Sequence, residues 1–319
     1  MDLSVVIPSY RSGKLVRRAV ESAIAEGVSP ENVVVVEDGV FDDTARVVAD
    51  CPGVRLITLE TNRGAPYARN VGLQNVATRY VMFLDADDYV ENGLLPGLVR
   101  ALEQQHSDLA IGPWRYAGED RQPGMLRTPE RLSNAEWIFS WTRLRFFPPC
   151  CVAWNVDSIR RIGAWDARLK KNQDGELMIR AFVRGLKVST SDAGQGVYWQ
   201  HASPHRVTNA KIDDLLHATD IIFRQLETWA GSRAANDFPE SDRNALGRYC
   251  CVTAWHAYAH DRKDSGMRWM AKARAYGFRN KGYNSKTSLL ATFLGVSLSS
   301  KARARFERSG IFYKLRYKR

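Results

Sequence analysis

Four short apolar runs punctuate the first 90 residues of this chain, at 3–7, 33–36, 54–59 and 81–84. The runs at 33–36 and 81–84 show none of the polar alternation of a half-exposed strand, so they read as strands buried on both faces, the habit of parallel sheets. The first run is expected to stop at Pro8. Helical spacing fills the intervals. Leu15, Val16, Ala19, Val20, Ala23 and Ile24 form one apolar face over 14–25. Asp42-Asp43-Thr44 offers a cap for a helix to about residue 50, and a third helix is expected over 65–76. Strand followed by helix, repeated four times, predicts an α/β domain with a mostly parallel sheet.

Polar residues of interest fall just past the strands. The fourth run meets three carboxylates in four positions, Asp85, Asp87 and Asp88. If the extended geometry continues through Ala86, Asp85 and Asp87 share a side and Asp88 points away. Same-side carboxylates at the carboxyl end of a parallel strand sit where open α/β sheets bind ligands, and they suit a hard divalent cation shared with phosphates. The other reading of the tripeptide is a solvated turn. Tyr10 offers a ring for stacking a base, and Asp38 offers an acceptor for a base N–H. Residues 62–70 add a glycine, a helix start, Arg63 and Arg69, an edge suited to anions. Packing for Tyr10, a salt bridge for Arg69 and a turn for Asp38 stand as the plainer alternatives.

Taken in order, Ser4-Val5-Val6-Ile7-Pro8-Ser9-Tyr10, Val36-Glu37-Asp38-Gly39, the stretch from Gly64 to Gly72 and Phe83-Leu84-Asp85-Ala86-Asp87-Asp88 resemble the successive signatures of family 2 glycosyltransferases. These are inverting enzymes with the GT-A fold, and the likeness covers residues 3 to about 203. It implies that Asp38 contacts uracil, that Asp85 approaches the ribose or the metal, and that Asp87 ligates Mn2+ or Mg2+ on the diphosphate. The nucleotide-contacting set is then Pro8, Tyr10, Asp38, Arg69, Asp85 and Ala86. Glu37 stands where the pattern has Asp, and Val40 where it has Ser.

Further on, a helix is expected over 94–103, one strand over 108–116, and a polar loop over the site at 118–134. Aromatic residues at 136–149 suit core packing, with sugar or lipid contact as the alternative. A strand at 151–154 and a helix to about Gly163 follow. Asp174 opens an apolar helix, where a plain acid is favoured by the dipole and a general base is equally compatible. In the family, Glu-Asp precedes such a helix and the Asp is the base. Gln173 replaces the Glu here, so the resemblance assigns the proton to Asp174 alone. A nucleoside diphosphate leaving group needs no general acid, and one base with one metal implies a single inverting displacement. His201, closing the domain, is either a further metal ligand or phosphate contact, or a packed or surface histidine. His205 lies nearby.

From residue 209 the pattern is helical, over 212–229, 245–259 and 266–276. The expected division is therefore a GT-A domain over 1–209, with a nucleotide half at 1–90 and an acceptor half at 91–209, and a helical, basic region over 210–319. Residues 268–319 hold 14 Lys and Arg against one acid, Glu307, a balance of +13 within a formal net charge of +11, so the rest carries −2. With the short apolar run at 289–296, that tail suggests attachment to an anionic membrane surface. No apolar run is long enough to span a bilayer, no secretory signal is evident, and five cysteines in no metal spacing fit reduced thiols. The expected protein is cytoplasmic, or peripheral at the inner face of the membrane. The resemblance implies a UDP-linked donor and a glycan or lipid-linked acceptor in surface polysaccharide synthesis. A nucleic-acid-binding protein would use the basic tail but leave the Asp residues without a role. A sugar nucleotidyltransferase or a dinucleotide oxidoreductase should carry a Gly-rich loop where Pro8-Ser9-Tyr10-Arg11 stands.

Overall fold

The computed structural model describes residues 1–39, 42–119, 122–142, 146–201, 211–233 and 238–278. The chain divides into two compact units, Met1–Trp137 with Phe146–Ala210, and Ile138–Arg145 with Lys211–Arg319. In the first unit, β1 (Leu3–Ser9), β2 (Val33–Asp38), β3 (Arg55–Leu59) and β4 (Tyr80–Phe83) alternate with α1 (Gly13–Ala25), α2 (Thr44–Ala49) and α3 (Ala65–Gln74). Next come β5 (Tyr89–Glu91), α4 (Leu94–Gln105), β6 (Leu109–Ile111) and β7 (Trp114–Gly118). They are followed by α5 (Asn134–Thr142), whose residues from Ile138 belong to the second unit, and by β8 (Val152–Asn155), α6 (Val156–Arg161), α7 (Gln173–Val183), β9 (Val188–Thr190) and β10 (Gln195–Gln200).

The larger sheet has seven strands in the order β3-β2-β1-β4-β8-β6-β9. Only β8 runs against its neighbours β4 and β6. The chain moves outward from β1 to β2 and β3, then returns through α3 to place β4 on the other side of β1. That reversal opens a crevice beyond the carboxyl ends of β1 and β4. Both faces of β1 are covered, which is why its sequence lacks alternation. Leu3, Val5 and Ile7 join Val16, Ala19, Val20 and Ala23 of α1 in the core. On the other face Gly72 of α3 lies so close that a Cβ there would stand 2.2 Å from Cγ1 of Val6.

β1 continues through Pro8, which pairs with Val36. The Val6 carbonyl accepts from Leu84 on the β4 side, so the absent N–H of Pro8 points the same way, past the last rung of that ladder. The single strand expected over 108–116 is instead two strands in two sheets. β6 lies in the large sheet, whereas β7 pairs with β10 in a three-stranded sheet of order β5-β10-β7. Gly112 still donates to the Cys151 carbonyl at 2.8 Å, but Pro113 has no N–H to carry the ladder onward, and the chain leaves the large sheet there.

In the second unit, α8 (Ile212–Gly231), α9 (Glu240–Ala259) and α10 (Lys263–Ala275) form a helical core. Phe223 stacks on Tyr249 at 6.4 Å and meets the edge of Trp269 at 5.1 Å. Gly247 and Gly266 let helices close up, since a Cβ at either would stand 2.6 Å from Phe278 or Tyr258. α9 and α10 begin earlier than their apolar spacing indicated, because their first turns are polar. All five cysteines are free thiols, and four are buried. Among the described residues no helix is long and apolar enough to cross a membrane. The run at 289–296 and most of the basic tail lie outside the described residues.

Gly72→Ala is expected to destabilise the first unit by about 1–3 kcal/mol through overpacking against Val6. A lower denaturation midpoint with an unchanged m-value would report it.

Candidate active site

β4 ends at Phe83, and Leu84 still donates to the Val6 carbonyl at 3.0 Å. The chain then turns instead of staying extended, with the Asp88 N–H donating to the Asp85 carbonyl at 2.9 Å. Asp88 therefore does not point away as expected. One carboxylate oxygen from each of Asp85, Asp87 and Asp88 lies within 4.8 Å of the others. Each acid also has a partner from elsewhere in the chain. Asp88 is buried and accepts the Trp199 N–H at 2.8 Å. Asp87 lies 3.0 Å from Nε2 of His201, at the end of β10. Asp85 accepts from Nη2 of Arg69 at 2.5 Å.

Arg69 is buried in α3, with its other Nη 3.0 Å from the Gln173 side-chain oxygen. Its guanidinium lies 4.3 Å from the centre of the Trp165 ring, which meets Phe83 edge-on at 5.2 Å. Arg69 thus ties the end of β4 to the first turn of α7, where Asp174 sits. Asp174 is partly buried, and the loss of hydration raises its pKa. The Asp85 charge pushes the same way, while the Gly175 N–H and Arg69 oppose it. A carboxylate so placed is a stronger proton acceptor than a solvated one.

Asp38 is buried at the end of β2, and its two oxygens accept the Arg63 and Gly64 N–H groups at 2.7 and 2.8 Å. It pins the loop that leads into α3. Gly39 is required beside it: φ is +69°, and a Cβ would stand 2.0 Å from Asn62 N. Tyr10 is half-buried just past β1, with the Arg11 guanidinium 5.3 Å from its ring. Pro8 and Ala86 are buried, Pro8 in β1 and Ala86 within the acidic turn. His205 lies outside the described residues.

Several residues at the site gave no sequence signal. Arg18 of α1 looks like a surface helix arginine but donates to the Asp87 carbonyl at 2.7 Å. Trp165 follows a Gly-Ala pair with no periodicity to mark it. Asn70 holds it from both sides, accepting its N–H at 3.0 Å and donating to its carbonyl at 2.8 Å. Arg180 pairs with buried Glu176 through two bonds of 2.8 and 2.7 Å, and also donates to the carbonyls of Ile162 and Ala164. That clamp fixes the loop carrying Trp165 to α7. Spacing of four in a helix predicts the Glu176–Arg180 pair, but not its burial.

The family model described as glycosyl transferase family 2 matches residues 4–163. Succinoglycan biosynthesis protein ExoO of Rhizobium meliloti (strain 1021) is 39% identical over 113 residues, which are 34% of this chain and 32% of that protein. Among solved structures, S. aureus TarS 1-349 in complex with UDP-GlcNAc superposes with a TM-score of 0.58 at 18% identity, covering 86% of this chain and 92% of that one. The mannosyltransferase PcManGT from Pyrobaculum calidifontis, in complex with GDP-Man and Mn2+, gives 0.57 at 15% identity, covering 100% and 88%. Likeness at such identities shows the fold alone. The chain spans 32% and 29% of the length of the first two curated relatives it matches.

Arg180→Met should cost about 3–5 kcal/mol, since it strands the Glu176 carboxylate in the interior. Urea denaturation measures the loss, and Glu176→Gln/Arg180→Met together should recover part of it.

Proposed function

The chain belongs to glycosyl transferase family 2, and from that premise we propose that it moves a sugar from a UDP-linked donor, with inversion, to a glycan or lipid-linked glycan acceptor in surface polysaccharide synthesis. The observation that carries this reading is the meeting of two sets of groups. The acidic turn after β4 faces His201, and Arg69 couples that turn to the helix start bearing Asp174. UDP-GlcNAc in TarS and GDP-Man with Mn2+ in PcManGT support a nucleotide-sugar donor and a divalent ion. The succinoglycan role of ExoO supports a polysaccharide product.

The donor set suits such an ion. It consists of hard carboxylate oxygens within 4.8 Å of one another, with an imidazole against one of them. Asp87 and His201 would hold Mn2+ or Mg2+ with Asp85 beside them, and the ion would supply positive charge to the diphosphate leaving group. The protein's own groups do the rest. Tyr10, Asp38 and the loop Asp38 pins receive the base, beside Pro8 and Ala86. Arg69 keeps Asp85 oriented and adds positive charge at the phosphate edge. Asp174 accepts the acceptor hydroxyl proton on a carboxylate oxygen as that hydroxyl attacks the anomeric carbon. With one base and no carboxylate assigned as nucleophile, the displacement is single. The tail charge of +13 over residues 268–319 supports attachment to anionic membrane near a lipid-linked acceptor.

Asp87→Ala should remove the Mn2+-dependent rise in melting temperature given by UDP, while the metal-free melting temperature holds. Undiminished UDP and Mn2+ binding by that variant would overturn the metal assignment.

Asp174→Asn should lower kcat by roughly 10²–10⁴ with donor affinity little changed, the scale of a lost general base. The acid limb of kcat/KM should lie above the ordinary aspartate pKa of about 3.9, because the folded state raises it. A carboxylate with a raised folded pKa contributes stability below its unfolded pKa and loses it as pH rises through the folded one. Asp174→Asn should therefore melt no lower than wild type at pH 7. Transfer at the wild-type rate, or a product of retained configuration, would remove Asp174 from this role.

A further inference from the structure

Arg18 of α1 reaches both the acidic turn after β4 and the end of β10. Its neighbour Arg17 turns to the surface and pairs with Asp50 at 2.6 Å. Arg18 instead runs inward, half-buried, and its Nη2 donates to the main-chain carbonyl of Asp87 at 2.7 Å. The guanidinium carbon lies 4.1 Å from the centre of the Trp199 ring and 4.6 Å from that of Tyr89. Trp199 in turn donates its N–H to Asp88, and His201, two residues on, meets Asp87. The contacts close a ring: Arg18 to Asp87, Asp87 to His201, back along β10 to Trp199, and Trp199 to Arg18.

We propose that Arg18 is a positioning residue that holds the acidic turn 85–88 and the end of β10 in register, and so sets the spacing of Asp87 and His201 for a divalent ion. This rests on the reading of those two residues as its ligands. The physical reason is directional. A hydrogen bond to the Asp87 carbonyl fixes that peptide plane, and with it the direction in which the Asp87 side chain leaves the turn. Contact with the Trp199 ring fixes the strand that carries His201. A planar guanidinium can donate in its plane while its faces meet aromatic rings; a lysine ammonium has no such plane. The positive charge also lies near Asp87 and Asp88, where it offsets part of their mutual repulsion.

The test is Mn2+ binding to the full chain in the presence of UDP, read by electron paramagnetic resonance of free Mn2+, with no turnover required. Arg18→Met keeps much of the apolar stem and should weaken Mn2+ binding by about tenfold or more, the usual cost of losing an outer-shell partner. Arg18→Lys keeps the charge and should not restore wild-type affinity. It also carries the test alone if Arg18→Met does not fold. Metal-free melting temperature verifies that the variants compared are folded. Wild-type affinity in either folded variant overturns the proposal and leaves the glycosyltransferase reading in place. A wild-type chain that binds no Mn2+ with UDP overturns the metal reading and the proposal together.

Discussion

Three carboxylates within 4.8 Å of one another are the constraint around which the crevice is built. At that separation each ionised pair repels by about 3 kcal/mol at an effective dielectric of 20. The fold answers with a separate partner for each acid, and each comes from a distant part of the chain. Arg69 of α3 meets Asp85, His201 at the end of β10 meets Asp87, and the Trp199 N–H meets Asp88. Arg18 of α1 adds a bond to the turn itself.

The same arrangement explains why residues with no chemistry of their own matter. Asp174 is placed by the start of α7, but α7 is tied to the acidic turn through Gln173 and Arg69. Arg69 rests on Trp165, whose loop is held to α7 by Arg180 and to α3 by Asn70. Asp174 and the acidic turn are therefore connected by packed, hydrogen-bonded groups. Gln173 contributes its oxygen to Arg69 without adding a further carboxylate beside Asp174. A glutamate there would raise the pKa of Asp174 further by like-charge repulsion.

Much of this was legible in one dimension because the relevant signals are local. Uninterrupted apolar runs at 33–36 and 81–84 announce strands covered on both faces, and the alternation with helices announces an α/β sheet. The cluster at Asp85, Asp87 and Asp88 could be marked from its place past a strand, and Asp174 from its place at a helix start. Where the local signal is ambiguous, sequence pattern and structure part. Pro8 looked like a strand end because a missing N–H is costly only if a ladder waits for it. Residues 108–116 looked continuous because nothing in their apolarity shows that Gly112-Pro113 sends the two halves to different sheets.

The sequence by itself determined the class of fold, the order of strand and helix, and the acids that a cation or proton would seek. Those follow from periodicity and side-chain chemistry, which neighbours along the chain suffice to define. Only the tertiary structure decided how the acids are turned and what faces them. The Asp88 N–H closes a turn on Asp85, so three carboxylates converge where two were expected. Arg18, Trp165 and Arg180 reach their partners across 69, 95 and 16 to 18 positions of sequence, pairings that no local pattern encodes. Such contacts exist because a doubly wound sheet collects the ends of separated strands at one edge, and burial there leaves each polar group in need of a partner.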